Sequence, residues 1–175
     1  MTAGEPSPAE RFAASRNRRA LPRLEAFRST LAFDLDAFQL SACGSLEEGT
    51  SVLVAAPTGA GKTIVAEFAV YLAMQDPRAK VFYTAPMKAL SNQKYQEFLT
   101  EYGPADVGLL TGDTNINSQA RIVVMTTEVL RNMLYADSEL LKDLSYVIMD
   151  EVHYLADRFR GAVWEEVIIH LPQSV

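Results

Sequence analysis

The eight residues Ala56-Pro57-Thr58-Gly59-Ala60-Gly61-Lys62-Thr63 set two glycines, a lysine and a hydroxyl in an order suited to holding phosphate. Gly59 and Gly61 let the backbone curl so that successive N–H groups point inward at phosphate oxygens. A helix beginning near Lys62 adds the positive end of its dipole. Lys62 supplies a charge that reaches the β and γ phosphates, and Thr63 offers a hydroxyl to Mg²⁺. Ala56 stands where such loops usually carry their first glycine, and a small residue still permits the turn. The competing reading is an ordinary glycine-containing turn that happens to precede Lys-Thr. A strand pattern before it and a helix pattern after it favour the phosphate loop.

Farther along, the apolar run Tyr146-Val147-Ile148-Met149 ends in two carboxylates, Asp150 and Glu151. Adjacent carboxylates repel each other unless a cation lies nearby. Asp150 suits a metal ion held through water, and Glu151 suits an attacking water that must be polarised. A strand ending in solvated acids is the plainer alternative, and the phosphate loop upstream weighs against it. Ligands of open α/β sheets bind at the C-terminal ends of strands, where both groups fall.

The elements that position these groups alternate. Asp36, with Gln39 three residues on, predicts a helix start, and the helix runs to about Glu48, where Gly49 stops it. The run 51–56 predicts a buried strand, followed by a helix over 62–75. Strands are expected over 80–85, 106–110, 121–126 and 146–150, and helices over 87–102, 127–135 and 162–171. Strands apolar on both faces and separated by helices indicate an α/β fold, a mainly parallel sheet with helices on both faces. In the first 30 residues, Ser7-Pro8-Ala9-Glu10 reads as a helix start, with an Arg-rich helical stretch up to Pro22.

Composition narrows the class. The chain has 175 residues, 49% hydrophobic and 22% charged, which is ordinary for one globular domain and argues against disorder. No apolar run is long enough for a membrane helix, and no secretory leader is visible. One cysteine, Cys43, excludes an intrachain disulfide and a cysteine-based metal cluster, and makes a reduced cytoplasmic setting the default. Net charge is −6. Six Arg against three acids give residues 1–30 a balance of +3, while the remainder stands at −9. Contact with nucleic acid must therefore rest on local donors and helix N-termini rather than on a broad basic face. Trp164 reads as core, Cys43 as a small buried apolar residue and His170 as structural.

Asp150-Glu151-Val152-His153 is a DExH box. Together with the loop 56–63 it resembles the first RecA-like domain, a P-loop NTPase fold, of a superfamily 2 helicase. The stretch 84–94, TAPMKALSNQK, resembles motif Ia of the superkiller-type (antiviral RNA helicase) branch. Thr111-Gly112-Asp113 resembles motif Ib, and 126–131 the motif after it. FDLDAFQ, 33–39, resembles the branch's adenine-recognition segment, and 158–166 matches the branch as well. The resemblance spans about Phe33 to Val175.

That resemblance implies an ATP-dependent helicase working on single-stranded or partly duplex RNA, with DNA possible, using ATP and Mg²⁺, and moving 3′ to 5′. It implies a division into a tail and helical lead-in, 1–30, and a first RecA-like domain, 31–175, that stops before motif III. A Ser-Ala-Thr motif and a second RecA-like domain of the same full-length chain, supplying an arginine finger, are expected beyond Val175, so the isolated chain is expected to be inactive. Phe33 would stack on adenine and Gln39 would read its edge; a core Phe and a capping Gln are the alternatives. Ala56 to Thr63 would bind the phosphates, and Thr63 and Asp150 the metal. Glu151, Asp150, Lys62 and His153 form the catalytic set, with His153 coupling the nucleotide site to the missing motif. Pro86, Lys88, Thr111, Gly112 and Thr127 would face a nucleic-acid backbone, with helix caps and turn residues as their alternative roles. Two rivals remain: a nucleotide-dependent nucleic-acid-binding module, and a P-loop translocase that does not unwind.

Overall fold

The structure, a computed structural model, describes residues 21–153, 161–173 and 175. The expected helix start at Ser7 and the segment from Arg158 to Arg160 lie outside these. The chain divides into two compact units, Met1–Phe68 and Ala69–Val175.

In the first unit, α1 (Pro22–Arg28) begins at the proline that was expected to end a helix. Proline lacks only an N–H that the first helical turn leaves unpaired, so it starts helices as readily as it stops them. The next two donors, Arg23 N–H and Leu24 N–H, are accepted by the Glu47 carboxylate at 2.9 and 2.8 Å. Glu47 closes α2 (Ala37–Glu47), whose start at Asp36 carries the capping box expected from Asp36 and Gln39. Gly49, at φ +78, follows the helix end, as predicted. Phe27 packs on Phe68 with ring centroids 5.1 Å apart. Cys43 is fully buried, and burial pushes its thiol up to about 12.

The strand expected over 51–56 does not form. The segment joins no ladder among the described residues, and Leu53 is 78% exposed. A β-favouring composition reports fitness for a pleated, half-buried surface, while a strand also needs a neighbour to pair with. The loop 56–63 then leads into α3 (Thr63–Gln75).

The second unit is built on a five-stranded sheet of order β3-β2-β4-β1-β5. Its strands are β1 (Lys80–Ala85), β2 (Val107–Thr111), β3 (Thr114–Ile116), β4 (Ile122–Thr126) and β5 (Leu144–Met149). All pairings are parallel except β2 with β3, a short antiparallel return that the sequence pattern did not reveal. The helices are α4 (Lys88–Tyr102), α5 (Thr127–Tyr135) and α6 (Gly161–His170). Alternation along β1 separates the faces. Tyr83 meets Phe98 of α4 on one side, while Phe82 joins the cluster containing Leu130 and Met133 of α5 and Val167 of α6 on the other. Helices thus cover both faces, and the α/β architecture stands as expected. Trp164 is 1% exposed and belongs to the core. His170 is exposed, with its Nδ1 2.8 Å from the Glu166 carbonyl.

Two local devices hold this sheet. Arg121, just before β4, donates to the carbonyls of Ala73 and Asp76 at the end of α3, at 2.9 and 2.6 Å. A cation at a helix C-terminus is favoured by the negative end of the helix dipole. Gly108 on β2 lies under the Asn117 carbonyl, where a Cβ would come within 2.2 Å of the oxygen.

Candidate functional site

In the first unit the loop 56–63 takes its shape from backbone geometry. Gly59 and Gly61 adopt φ of +82 and +75, which side chains disfavour. Ala60 N–H donates to the Pro57 carbonyl at 3.2 Å, closing the turn before α3 begins. The Lys62 ammonium curls back on this loop, donating to the Ala56 and Pro57 carbonyls at 2.6 and 2.9 Å. Thr58 and Thr63 are exposed.

Gln39 is tied to the same loop. It is 5% exposed. Its Oε1 accepts from Asp36 N–H at 2.8 Å, and its Nε2 donates to the Gly61 carbonyl at 2.9 Å. The capping role is therefore what its contacts describe, and the link to Gly61 is one that sequence spacing could not supply. Phe33 is 58% exposed, which sets aside the reading of it as a core residue.

In the second unit the carboxylates lie just past β5. Asp150 N–H donates to the Thr84 carbonyl at 2.9 Å, carrying the sheet register one residue beyond the strand. Its Oδ2 accepts from the Tyr83 hydroxyl at 2.5 Å and its Oδ1 from Glu151 N–H at 2.8 Å. Burial, and then the Asp150 charge beside it, push the Tyr83 hydroxyl well above the ordinary tyrosine range, so it stays a donor. Glu151 turns the chain at φ +57, and its carboxylate sits 3.0 Å from His153 Nδ1.

Motif spacing does not single out Tyr83. The available signal was a tyrosine inside an apolar strand, because a buried phenol needs a partner for its hydroxyl. Among the described residues no group of three or more His, Cys, Asp or Glu could hold a metal by itself.

Three of the residues expected to face a nucleic-acid backbone gather at the C-terminal ends of β1 and β2. Lys88, in the first turn of α4, pairs with Asp113 at 2.5 Å, and Thr111 donates to the same carboxylate at 3.0 Å. Gly112 between them is exposed. Pro86 is buried. Thr127 is 1% exposed, and its hydroxyl donates to the Ala85 carbonyl at 3.3 Å, joining the start of α5 to the end of β1. Asp113 organises this face by holding two of its side chains.

Comparison with known proteins gives a consistent picture. Residues 36–175 match the family described as DEAD/DEAH box helicase. The chain is 61% identical over 155 residues to a Mycobacterium tuberculosis protein described as probable helicase HelY, covering 89% of this chain and 17% of that one. It is 53% identical to the antiviral helicase SKI2 of Saccharomyces cerevisiae, over 82% of this chain and 11% of the relative. It is 54% identical to the ATP-dependent RNA helicase mtr4 of Schizosaccharomyces pombe, over 83% and 13%. The chain thus spans less than a fifth of the length of these relatives. A crystal structure of the helicase MrfA bound to DNA and AMPPNP superimposes with a TM-score of 0.67 at 23% identity, covering 87% of this chain and 25% of that one. At that identity the likeness speaks for the fold alone.

Proposed function

This chain belongs to the DEAD/DEAH box helicase family, and from that premise we propose that it is the nucleotide-binding motor domain of an ATP-dependent helicase acting on RNA. The observation that carries the reading is the loop 56–63, with Gly59 and Gly61 both at positive φ, directly before α3.

In this reading Lys62 leaves the Ala56 and Pro57 carbonyls to neutralise charge on the β and γ phosphates. Thr63 and, through water, Asp150 hold Mg²⁺. The metal supplies charge neutralisation on the phosphates when bound. Glu151 orients the attacking water and polarises it, and His153 beside it links this turn to a motif elsewhere in the full-length protein. Phe33 offers its exposed ring to adenine. Gln39 reads the base edge by exchanging one of its two present bonds. Lys88, Thr111 and Gly112 contact phosphates and sugars, Pro86 and Thr127 shape the backbone beneath them, and binding is largely independent of sequence.

RNA is favoured over DNA by the resemblance of 84–94 to the superkiller-type motif and by the description of mtr4 as an RNA helicase. A second RecA-like domain, supplying an arginine across the cleft, completes the motor. A cytoplasmic setting agrees with the single cysteine. Among the described residues no helix is long and apolar enough to cross a membrane.

Phosphate release by the full-length protein, measured with single-stranded RNA, single-stranded DNA and neither, tests the proposal. Stimulation by RNA is expected. Stimulation by DNA alone would reassign the substrate. Absence of turnover under all three conditions would favour a nucleotide-dependent binding module.

A further inference from the structure

We infer that Tyr83 is a positioning residue for Asp150, fixing the orientation of the carboxylate that meets the metal. This rests on the proposed role of Asp150 and adds a residue to it. Tyr83 lies on β1 directly opposite Ile148 of β5, and parallel partners point to the same face. Asp150 is two residues beyond Ile148, so the period of two returns its side chain to that face, within reach of the Tyr83 hydroxyl. The contact is 2.5 Å between residues 67 apart in sequence.

The ring has little freedom. Tyr83 is 2% exposed, its edge meets Phe98 with centroids 5.5 Å apart, and the Lys94 ammonium lies 5.6 Å from its centroid. The carboxylate is different. It projects from the residue after the strand and is only half-buried. Without Tyr83 only one of its oxygens would keep a protein donor, the Glu151 N–H. A carboxylate held at both oxygens presents its remaining lone pairs in one direction, and hydrogen bonds of this kind tune metal affinity. Phenylalanine at this position would preserve the packing on α4 and remove only the hydroxyl.

The test compares Tyr83→Phe, Asp150→Asn and the double variant in the full-length protein. Affinity for AMPPNP is measured by calorimetry, first in EDTA and then over a Mg²⁺ series. For Tyr83→Phe we expect unchanged affinity in EDTA and a roughly 10–100-fold rise in the Mg²⁺ needed for half of the metal-dependent gain. Asp150→Asn should shift the same curve at least as far, and the double variant should add nothing to it. If Asp150→Asn shifts the curve and Tyr83→Phe does not, the positioning role is wrong while the reading of Asp150 survives. If Asp150→Asn leaves the curve in place, the metal role of Asp150 fails and the inference falls with it. A Tyr83→Phe variant that loses affinity equally with and without Mg²⁺ would assign the hydroxyl to the fold and overturn the inference.

Discussion

The side-chain amide of Gln39 donates to the main-chain carbonyl of Gly61 at 2.9 Å, so the first turn of α2 and the loop 56–63 share a hydrogen bond. A Cβ on Gly61 would lie 2.7 Å from that nitrogen. Gly59, also at positive φ, has nothing within 4 Å of such a Cβ. Alanine at either position meets the conformational penalty of about 1 kcal/mol. Only Gly61→Ala must also displace Gln39, breaking a bond worth roughly 0.5–1.5 kcal/mol. Urea midpoints should therefore fall further for Gly61→Ala than for Gly59→Ala, and Gln39→Ala should remove most of the difference.

Lys62→Ala should abolish nucleotide binding and leave the fold in place. The ammonium contacts only two exposed or half-buried loop carbonyls, so its loss leaves no buried group without a partner. Calorimetry with ATP and Mg²⁺ on folded variant and parent checks this. Equal affinities would mean that Lys62 does not face the phosphates.

Glu151→Gln keeps size and hydrogen-bonding capacity but removes the charge that, on the proposed role, would polarise water. Nucleotide affinity should survive, and turnover in the full-length protein should drop by roughly 10²-fold or more. Turnover at the parental rate would take Glu151 out of the catalytic set.

The pair Lys88 and Asp113 makes an electrostatic forecast. The Lys88 hydrogen bond, then that from Thr111, holds the Asp113 carboxyl below the usual carboxylate range. It is thus ionised at neutral pH and, on the proposed role of Lys88, would compete with a phosphate for it. Both side chains are well exposed, which keeps the contact weak. Asp113→Asn should raise affinity for single-stranded RNA by roughly two- to fivefold. Lys88→Ala should lower it and reduce the salt slope by about 0.7. Filter binding across a salt series measures both. Weaker binding by Asp113→Asn would show that the carboxylate serves to aim Lys88 at the strand.

What could be read in advance follows the range of the interaction. Asp36 with Gln39, and Gly49 after Glu48, mark α2 because capping is decided within a few residues. The strands β1, β2, β4 and β5 were legible from apolar runs bounded by turns. The segment 51–56 has the same composition, and its failure to pair depends on neighbours that no local window contains. Thr114 to Ile116 is too short to show alternation, and Pro22 fits either end of a helix. At the site, the loop 56–63 and Asp150-Glu151 announce themselves because their chemistry is contiguous. Tyr83 with Asp150, Lys88 with Asp113 and Gln39 with Gly61 are joined only by the fold.

Glu151 has a backbone angle of φ +57, on the side of the map that glycine occupies freely and glutamate does not. The turn after β5 therefore holds a residue that the rest of the domain must keep in place at a cost of about 1 kcal/mol. Glu151→Gly should relax it and raise the melting temperature while abolishing turnover. If Glu151 has the proposed role, the position sets thermal robustness against chemistry, and selection for heat resistance alone would drift toward a sturdier, silent domain.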